Sequence, residues 1–355
     1  YQMNGRGELG QGFDGPASST YGVVWSLAFS PDGAYIAVGT ASSPFIAVFA
    51  LTFTGTTSVT IGAQVSNPGT LPAGQVSGVR WSPNGSELAA AVAVSPYIQV
   101  WNWSAGFGTA WSNPGTLPTG DGQMVAWTSN NANLFIAHTT TPFITGYAVS
   151  GTAFTSKYAD PGTPPTGDGK DVAVRANDGF VAVAHITSPF VTAYPFTDGV
   201  GYGTKVGDPA SLPVTQGSSV AWTGDGATIA VGSTTTPFIA FYAWSAGAFG
   251  AKRNRPSTLP PGQIRPGHSI IFPSTNTYVI LRHTSSPFIS IYPAYADFTT
   301  ADEENGYFYA HAGSYSSEAH VSDLATIINQ ADHSTSSIGG AISDAKTWRG
   351  RGNLA

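Results

Sequence analysis

The chain has 355 residues, of which 41% are hydrophobic and 10% are charged, with a net charge of −6. The charge argues against nucleic acid as the main partner, since phosphate binding needs clustered Lys and Arg. Cysteine is absent, which excludes disulfides, thiolate catalysis and Cys-based zinc sites. No apolar run reaches the ~18 residues that a membrane-spanning helix needs.

From Val23 onwards, six repeats follow one another, each marked by a Ser/Thr-Pro-aromatic-Ile/Val motif. The motif prolines lie 46 to 52 residues apart and are Pro44, Pro96, Pro142, Pro189, Pro237 and Pro287. A period of about 40–50 residues with several strands per unit predicts a β-propeller.

Each repeat predicts four strands. In the first repeat, "VVWSLAFS" from Val23 is the first strand, and "AYIAVGT" from Ala34 is a compact apolar second strand, typical of a strand covered on both faces. The proline motif supplies a turn and the third strand, and a fourth strand leads into the loop "NPGTLPAG" from Asn67. The predicted fold class is therefore all-β, a six-bladed β-propeller of four-stranded antiparallel blades.

An aromatic residue stands five positions after every motif proline. These residues are Phe49, Trp101, Tyr147, Tyr194, Tyr242 and Tyr292. A large apolar side chain at one fixed place per repeat favours a structural role. We expect each ring to be wedged between adjacent blades.

The N-terminal segment is predicted to close the ring. The last repeat, from His268, predicts three strands, whereas "ELGQGF" from Glu8 to Phe13 precedes a decayed copy of the proline loop. We expect residues 8–13 to complete the last blade, because closure removes an open sheet edge. The predicted propeller domain spans residues 1–295.

The segments "VWSLAFSPDGAYIAVGTASSPFIAVF" and "VRWSPNGSELAAAVAVSPYIQVW" resemble WD repeats. This resemblance spans roughly Val23 to Tyr295 and implies a propeller that displays binding surfaces and usually has no catalytic site. The chain departs from the family where an Asp normally follows the third-strand aromatic. The residues there are Ala50, Asn102, Ala148, Pro195, Ala243 and Pro293.

Antiparallel order places the Ser/Thr-Pro-aromatic turns and the proline loops on one face of the propeller. This face is stiffened by proline and poor in charge. It is either a durable way to build turns or a contact surface, since a rigid surface loses little entropy on docking.

Histidines and aspartates recur at two places where chemistry is conceivable. His138, His185 and His283 stand four residues before a motif proline, and either bind metal or sense pH, or pack within the second strands. Asp121 and Asp168 lie in two "TGDG" loops, where two carboxylates are too few for calcium. We favour packing and turn formation, and predict no catalytic, cofactor or metal site.

Arg175 is an unusual residue in the first strand of the fourth repeat. Counting along the repeats assigns it to a position that is aromatic elsewhere. Because an unpaired buried charge is costly, we expect Arg175 to pair with Asp171 or Asp178, or the strand to shift by one residue.

The composition changes after Tyr295, and residues 296–355 are predicted to form a C-terminal docking extension. Its segment "SEAHVSDLATIINQADHS" predicts a short amphipathic helix, which needs a surface to lie on. The candidate partner contacts are Val321, Leu324, Ile328, Trp348, Arg349 and Arg351.

Three classes of function are compatible with the predicted propeller and its C-terminal extension. The first is a non-enzymatic structural or assembly protein in a larger particle, best a bacteriophage virion, as a tail or capsid-decoration component, with other structural proteins or copies of itself as partners. The second is a secreted or periplasmic propeller that binds glycans or proteins. The third is a propeller hydrolase or lyase. The first predicts a virion or extracellular location, without cofactors and without a small-molecule ligand.

Overall fold

The computed structural model describes residues 23–54, 58–253, 256, 258–272, 278–286, 288–293 and 310–311. The predicted N-terminal strand, at residues 8–13, and the candidate contacts in the C-terminal extension lie outside these residues. Within the described part, no helix has the length and apolarity that a membrane crossing requires.

The described strands form six four-stranded antiparallel sheets, so the predicted fold class, a six-bladed β-propeller, is confirmed. In the first three blades the strands are β1 Val24–Phe29, β2 Tyr35–Thr40, β3 Ile46–Thr54, β4 Ser58–Gln64, β5 Val76–Trp81, β6 Glu87–Val92, β7 Ile98–Trp103, β8 Phe107–Ala110, β9 Gly122–Trp127, β10 Asn133–His138, β11 Ile144–Ser150 and β12 Ala153–Lys157. In the last three they are β13 Gly169–Val174, β14 Phe180–His185, β15 Val191–Thr197, β16 Gly201–Tyr202, β17 Gly217–Trp222, β18 Thr228–Ser233, β19 Ile239–Ser245, β20 Ala248–Lys252, β21 Ile270–Ile271, β22 Tyr278–Arg282, β23 Ile289–Pro293 and β24 Ala310–His311.

The core lies between the blades. Five apolar clusters each combine side chains of two consecutive blades. The apolar second strands make this possible, because residues such as Ala89, Ala90 and Ala91 are fully buried with both faces of their strand covered. Burial of this apolar surface is the main force that holds the blades together.

The first strands are central and carry a register shift near their start. In the fourth blade, Gly169 pairs with His185 and Asp171 pairs with Ala184, so Lys170 is an extra residue. The same shift occurs in the first, second, third and fifth blades. Such bulges change the direction of the side chains that follow them.

The outer position described in the sixth blade is taken by a strand that follows residue 295. Ala310–His311 pairs with Ile291 and Ser290 of β23, so a segment assigned from sequence to the C-terminal extension takes the outer position at these residues. The domain boundary at residue 295 stays a prediction. A closing role for residues 8–13 stays a prediction.

The seam between the sixth and first blades carries a polar link. Arg282 Nη1 donates to the carbonyl of Trp25 over 3.3 Å. Leu27 and Phe29 on β1 are exposed, whereas their counterparts in the second blade, Val79 and Trp81, are buried. Among the described residues, this seam thus has fewer buried apolar side chains from its first strand than the seam between the first two blades.

Candidate binding surfaces: the proline face and the central channel

The Ser/Thr-Pro-aromatic turns share one unusual backbone conformation. The bond before the proline is cis at Pro44, Pro96, Pro142, Pro189 and Pro237. The aromatic residue that follows the proline has a positive φ of 64° to 71° in all six turns, at Phe45, Tyr97, Phe143, Phe190, Phe238 and Phe288. Bulky residues rarely adopt this conformation, and it persists only where the surroundings hold it.

Each turn is held by two backbone hydrogen bonds, and three of the turns also contact a glycine of the next blade closely. The amide of Phe143 donates to Thr140 and its carbonyl accepts from His138, at 2.7 and 3.1 Å. The same carbonyl lies against Gly169 of the next blade, where a Cβ would come within 2.5 Å of it. Gly122 and Gly217 make the same close approach to the preceding blade. The glycine after the loop is therefore a packing requirement.

The turns and the proline loops lie together, as the sequence predicts. Thr119 Oγ1 donates to the carbonyl of Thr141 over 2.7 Å, and Thr166 Oγ1 repeats this bond to Ser188. We call this surface the proline face. It comprises the turns at 41–45, 93–97, 139–143, 186–190, 234–238 and 284–288, and the loops at 67–74, 113–122, 160–169, 208–217 and 256–262, where described.

The buried repeat aromatics fix the tips of these loops. Tyr147, Tyr194 and Tyr242 each donate a hydroxyl hydrogen bond of 2.8 Å to a tip carbonyl, which belongs to Thr116, Thr163 or Ser211 respectively. Trp101 Nε1 makes the equivalent bond to Thr70 over 2.9 Å. The rings of all six repeat aromatics are buried, with exposed fractions of at most 4%. These hydrogen bonds thus connect the core of each of these blades directly to the tip of a proline loop.

The exposed tips of the proline loops are uncharged. Two prolines of each loop are buried, as at Pro114 and Pro118, while Gly115 and Thr116 between them are exposed. Three carboxylates at the loop edges are paired with lysines, in the pairs Lys157–Asp160, Lys170–Asp168 and Lys205–Asp208, whereas Asp121 is exposed. The proline face therefore presents mainly hydroxyl, backbone and apolar groups.

The three histidines are buried and act within their own blades. His138, His185 and His283 accept or donate a 2.9 Å hydrogen bond to Thr145, Thr192 and Ser290 respectively. In the other blades, the position of the hydroxyl partner is Ala47, Gln99 or Ala240. At this position of the repeat, histidine thus occurs only where a hydroxyl residue stands seven positions later. The histidine and the hydroxyl residue therefore form a pair that packs within the blade.

These pairs predict loss of stability in acid. Burial lowers the pKa of His138 and of His185 to about 4, below the ordinary value near 6.5. The unfolded chain takes up these protons below about pH 6.5 and the folded chain only below about pH 4, so stability is complete above this window and falls as pH decreases through it. We expect a loss of about 3 kcal/mol per histidine, measurable as urea midpoints across the window.

A double variant provides the control for this prediction. His185→Ser with Thr192→Ala installs the pair found in the fifth blade, Ser233 with Ala240. Its urea midpoint should fall less steeply with pH than that of the unmodified chain. Equal slopes would show that the histidines do not cause the acid sensitivity.

The aspartates of the two "TGDG" loops belong to turns. Asp121 is exposed, and its backbone pairs with Thr139. Asp168 contacts Lys170 over 3.4 Å. Among the described residues, no three His, Asp or Glu side chains are grouped so that they could hold a metal ion.

The axis of the propeller contains a cavity of about 310 Å³. Arg80 on β5 lies in its wall, together with Trp81, Trp127, Trp222 and other residues of the first strands. Ile271, another residue of this wall, is 38% exposed. Sequence reasoning missed this site.

Asp171 is a fully buried carboxylate that joins three blades at the axis. Its Oδ2 accepts hydrogen bonds from Ser219 Oγ, Val220 N and His268 N, at 2.7, 3.0 and 2.9 Å, and its Oδ1 accepts from Val172 N over 2.9 Å. Burial raises the pKa of Asp171, whereas these donors and the charge of Arg80 oppose that effect. Four donors at its oxygens match the ionised carboxylate.

Arg175 does not occupy the aromatic position that counting along the repeats assigned to it. Val174 pairs with Val181 in β14, as Trp222 pairs with Ile229, so Val174 takes the aromatic place and the predicted one-residue shift is the correct alternative. Arg175 Nε donates to the carbonyl of Gly226 in the next blade over 2.9 Å. It therefore links two turns rather than pairing with Asp171.

Comparison with known proteins agrees with this architecture. The model of the WD domain, G-beta repeat, family matches residues 7–43. Among curated proteins, no sequence matches the chain. The chain is thus a WD-repeat-like six-bladed β-propeller.

Solved structures share the fold at low sequence identity. One is a functionally unknown protein from Desulfotomaculum acetoxidans DSM 771, with a TM-score of 0.57 and 11% identity over 82% of this chain and 89% of that one. A "putative 6-phosphogluconolactonase" from Bacteroides uniformis ATCC 8492 has a TM-score of 0.56 and 16% identity over 76% and 80%. Hydrazine synthase from Kuenenia stuttgartiensis has a TM-score of 0.58 and 12% identity over 80% of each chain. These likenesses concern the fold alone.

Proposed function

We propose that this propeller is a non-enzymatic structural protein that docks in a larger particle through its proline face. The specific particle that we propose is a bacteriophage virion, with the chain as a tail or capsid-decoration component and other structural proteins or copies of itself as partners. This assignment implies a virion or extracellular location. Low charge and abundant glycine, and the binding surfaces that WD-repeat-like propellers display, support it.

The main support for this proposal is that hydrogen bonds from buried aromatic side chains hold the tips of the proline loops. The same carbonyl is held by a buried aromatic in four successive loops, through Trp101, Tyr147, Tyr194 and Tyr242. A surface that is already ordered loses little conformational entropy when it binds. Three of its carboxylates are paired with lysines and Asp121 is exposed, so this weakly charged surface favours a largely neutral protein partner.

Apolar side chains on the proline face supply contact area. Leu71, Val94, Val214 and Phe288 are 41%, 43%, 51% and 54% exposed, and each lies in a proline loop or turn. Apolar groups presented among polar neighbours are typical of protein interfaces. We also propose, as a second docking contact, the C-terminal residues that the sequence predicts to contact a partner.

The other two classes of function have less support. A glycan site at the channel would use exposed Trp rings and free carboxylates, but Trp81, Trp127 and Trp222 are 6–8% exposed and the oxygens of Asp171 are occupied. An enzymatic role is supported only by the similar fold of the "putative 6-phosphogluconolactonase", which is 16% identical to this chain. Fold likeness at that level carries no activity.

Incorporation into particles tests the proposal. Tagged chain would be produced in cells that release the particle, and its copy number per gradient-purified particle measured by quantitative mass spectrometry. We expect a fixed stoichiometry for the unmodified chain and a loss of about tenfold or more for Val94→Asp with Val214→Asp, since burying unpaired charges opposes docking. Val200→Asp is the control, because Val200 is 77% exposed in a turn at the opposite face.

The outcomes separate the claims. If the unmodified chain is recovered only as free protein, the assembly role is wrong. If the double variant is incorporated as well as Val200→Asp, the proline face is not the docking surface.

A further inference from the structure

Arg80 breaks the internal repeat at the wall of the central channel. The corresponding positions of the other blades are small or apolar and are Ala28, Ala126, Ala173, Ala221 and Ile271. A guanidinium at this place is not required for the repeat to fold, since five blades form without it. Its presence at one position therefore points to a local task.

The guanidinium of Arg80 has unused hydrogen-bond donors. Among the described residues, the guanidinium makes no hydrogen bond. It also forms no ion pair within 4 Å, since the three ion pairs of this part of the chain are all between a lysine and an aspartate. Asp171 acts on it through charge alone, and the oxygens of Asp171 already accept four hydrogen bonds. Five donors of fixed geometry thus remain available in the cavity.

The rest of the cavity wall is mainly apolar. Its lining residues include Trp81, Trp127, Val174, Trp222 and Phe272. Burial lowers the pKa of Arg80 to about 10, so the side chain stays charged at neutral pH. A half-buried cation with apolar surroundings is poorly hydrated and binds an oxyanion more strongly than a surface cation does.

His268 adds a second unusual feature to the same wall. Its φ is 35°, in the region that non-glycine residues rarely adopt, and its amide is held by Asp171 Oδ2 over 2.9 Å. Burial, Arg80 and Arg282 lower the pKa of His268 well below its ordinary value, so the imidazole is neutral. Strained backbone that lines a cavity is a feature of binding sites.

We infer that the channel cavity is a binding site for a small monocarboxylate with an apolar or aromatic body. The carboxylate binds the fork of Arg80, and the apolar body contacts the tryptophan and aliphatic walls. A volume of about 310 Å³ is at the lower end of the range for small-molecule sites, which limits the ligand to a single ring or a short chain. The inference is independent of docking through the proline face.

Titration with benzoate tests the inference. Binding would be followed by calorimetry and by the indole N–H resonances of the tryptophans, with benzyl alcohol as the neutral probe and inorganic phosphate as the purely ionic probe. We expect saturable benzoate binding with shifts at Trp81, Trp127 and Trp222, and weaker binding of both other probes. Arg80→Ala, which restores the residue of four other blades, should weaken benzoate binding by about 10- to 100-fold.

Two further variants make the result decisive. Arg80→Lys keeps the charge without the planar fork and should bind benzoate with intermediate affinity, while Lys205→Ala, which removes a cation outside the cavity wall, should bind as the unmodified chain does. The inference is overturned if the unmodified chain binds no benzoate at millimolar concentration, or if Arg80→Ala binds it equally well. Arg80 would then serve only as the counter-charge of Asp171.

Discussion

Asp171→Ala should lower the free energy of unfolding by about 3–5 kcal/mol, the range for removing one partner from a buried charged network. The substitution deprives Val172, Val220 and His268 of the acceptor for their backbone amides. Buried donors without partners are costly, and all of them lie at the axis where three blades meet. Urea unfolding followed by tryptophan fluorescence measures the loss.

Two other substitutions at aspartates serve as comparisons. Asp171→Ser places at this position the residue type found at Ser26, Ser219 and Ser269, and Ser26 Oγ accepts the amide of the next blade over 3.2 Å. It should therefore recover part of the stability. Asp121→Ala, at an exposed loop position, should change stability by less than about 0.5 kcal/mol. A loss below about 1 kcal/mol for Asp171→Ala would contradict the role of this network.

The number of blades could be predicted from the sequence because the repeat is marked by proline. The motif prolines recur at intervals of 46 to 52 residues and favour turns because proline cannot donate to a ladder, so they divide the chain into six units of similar length. The face shared by turns and loops followed from antiparallel order alone. The positive φ of Phe45 and its counterparts could not be predicted, because aromatic residues disfavour it and the surrounding contacts that hold it are tertiary.

The charged residues at the channel were missed although the sequence contains a signal for them. Arg80 and Asp171 are departures from repeats that are otherwise small or apolar at these positions, and aligning the first strands residue by residue would have shown both. Arg175 was assigned one position too early in the repeat for a similar reason. Its strand lacks the aromatic residue that marks this position in the other blades, so counting along the sequence misaligned it.

The outer strand of the sixth blade was harder to predict for a physical reason. Outer strands are short and half exposed, as in β16, which has two residues, so little hydrophobic pattern identifies them. The segment "ELGQGF" and the strand Ala310–His311 are both compatible with that place by sequence. Pairing of β24 with β23 was therefore not visible in the pattern.

Tyr194→Ala should destabilise the propeller by about 3–5 kcal/mol, the range for deleting a buried large aromatic. The side chain is completely buried, and its ring contacts that of Tyr202 at a centroid distance of 5.6 Å. Removing it leaves a cavity in the fourth blade and releases the carbonyl of Thr163. Urea unfolding measures this loss, and a value below about 1 kcal/mol would contradict the packing role.

Tyr194→Phe separates packing from the hydroxyl hydrogen bond. The ring remains, and only the 2.8 Å bond to Thr163 is lost, so the expected cost is about 0.5–1.5 kcal/mol. Because Thr163 is exposed, water can replace the lost donor, which places the cost at the lower end. Hydrogen exchange of the loop at 160–169 should nevertheless accelerate, since its tip is no longer held by the core. Unchanged exchange would show that the proline face is rigid without this bond, and that the buried aromatics stabilise the blades alone.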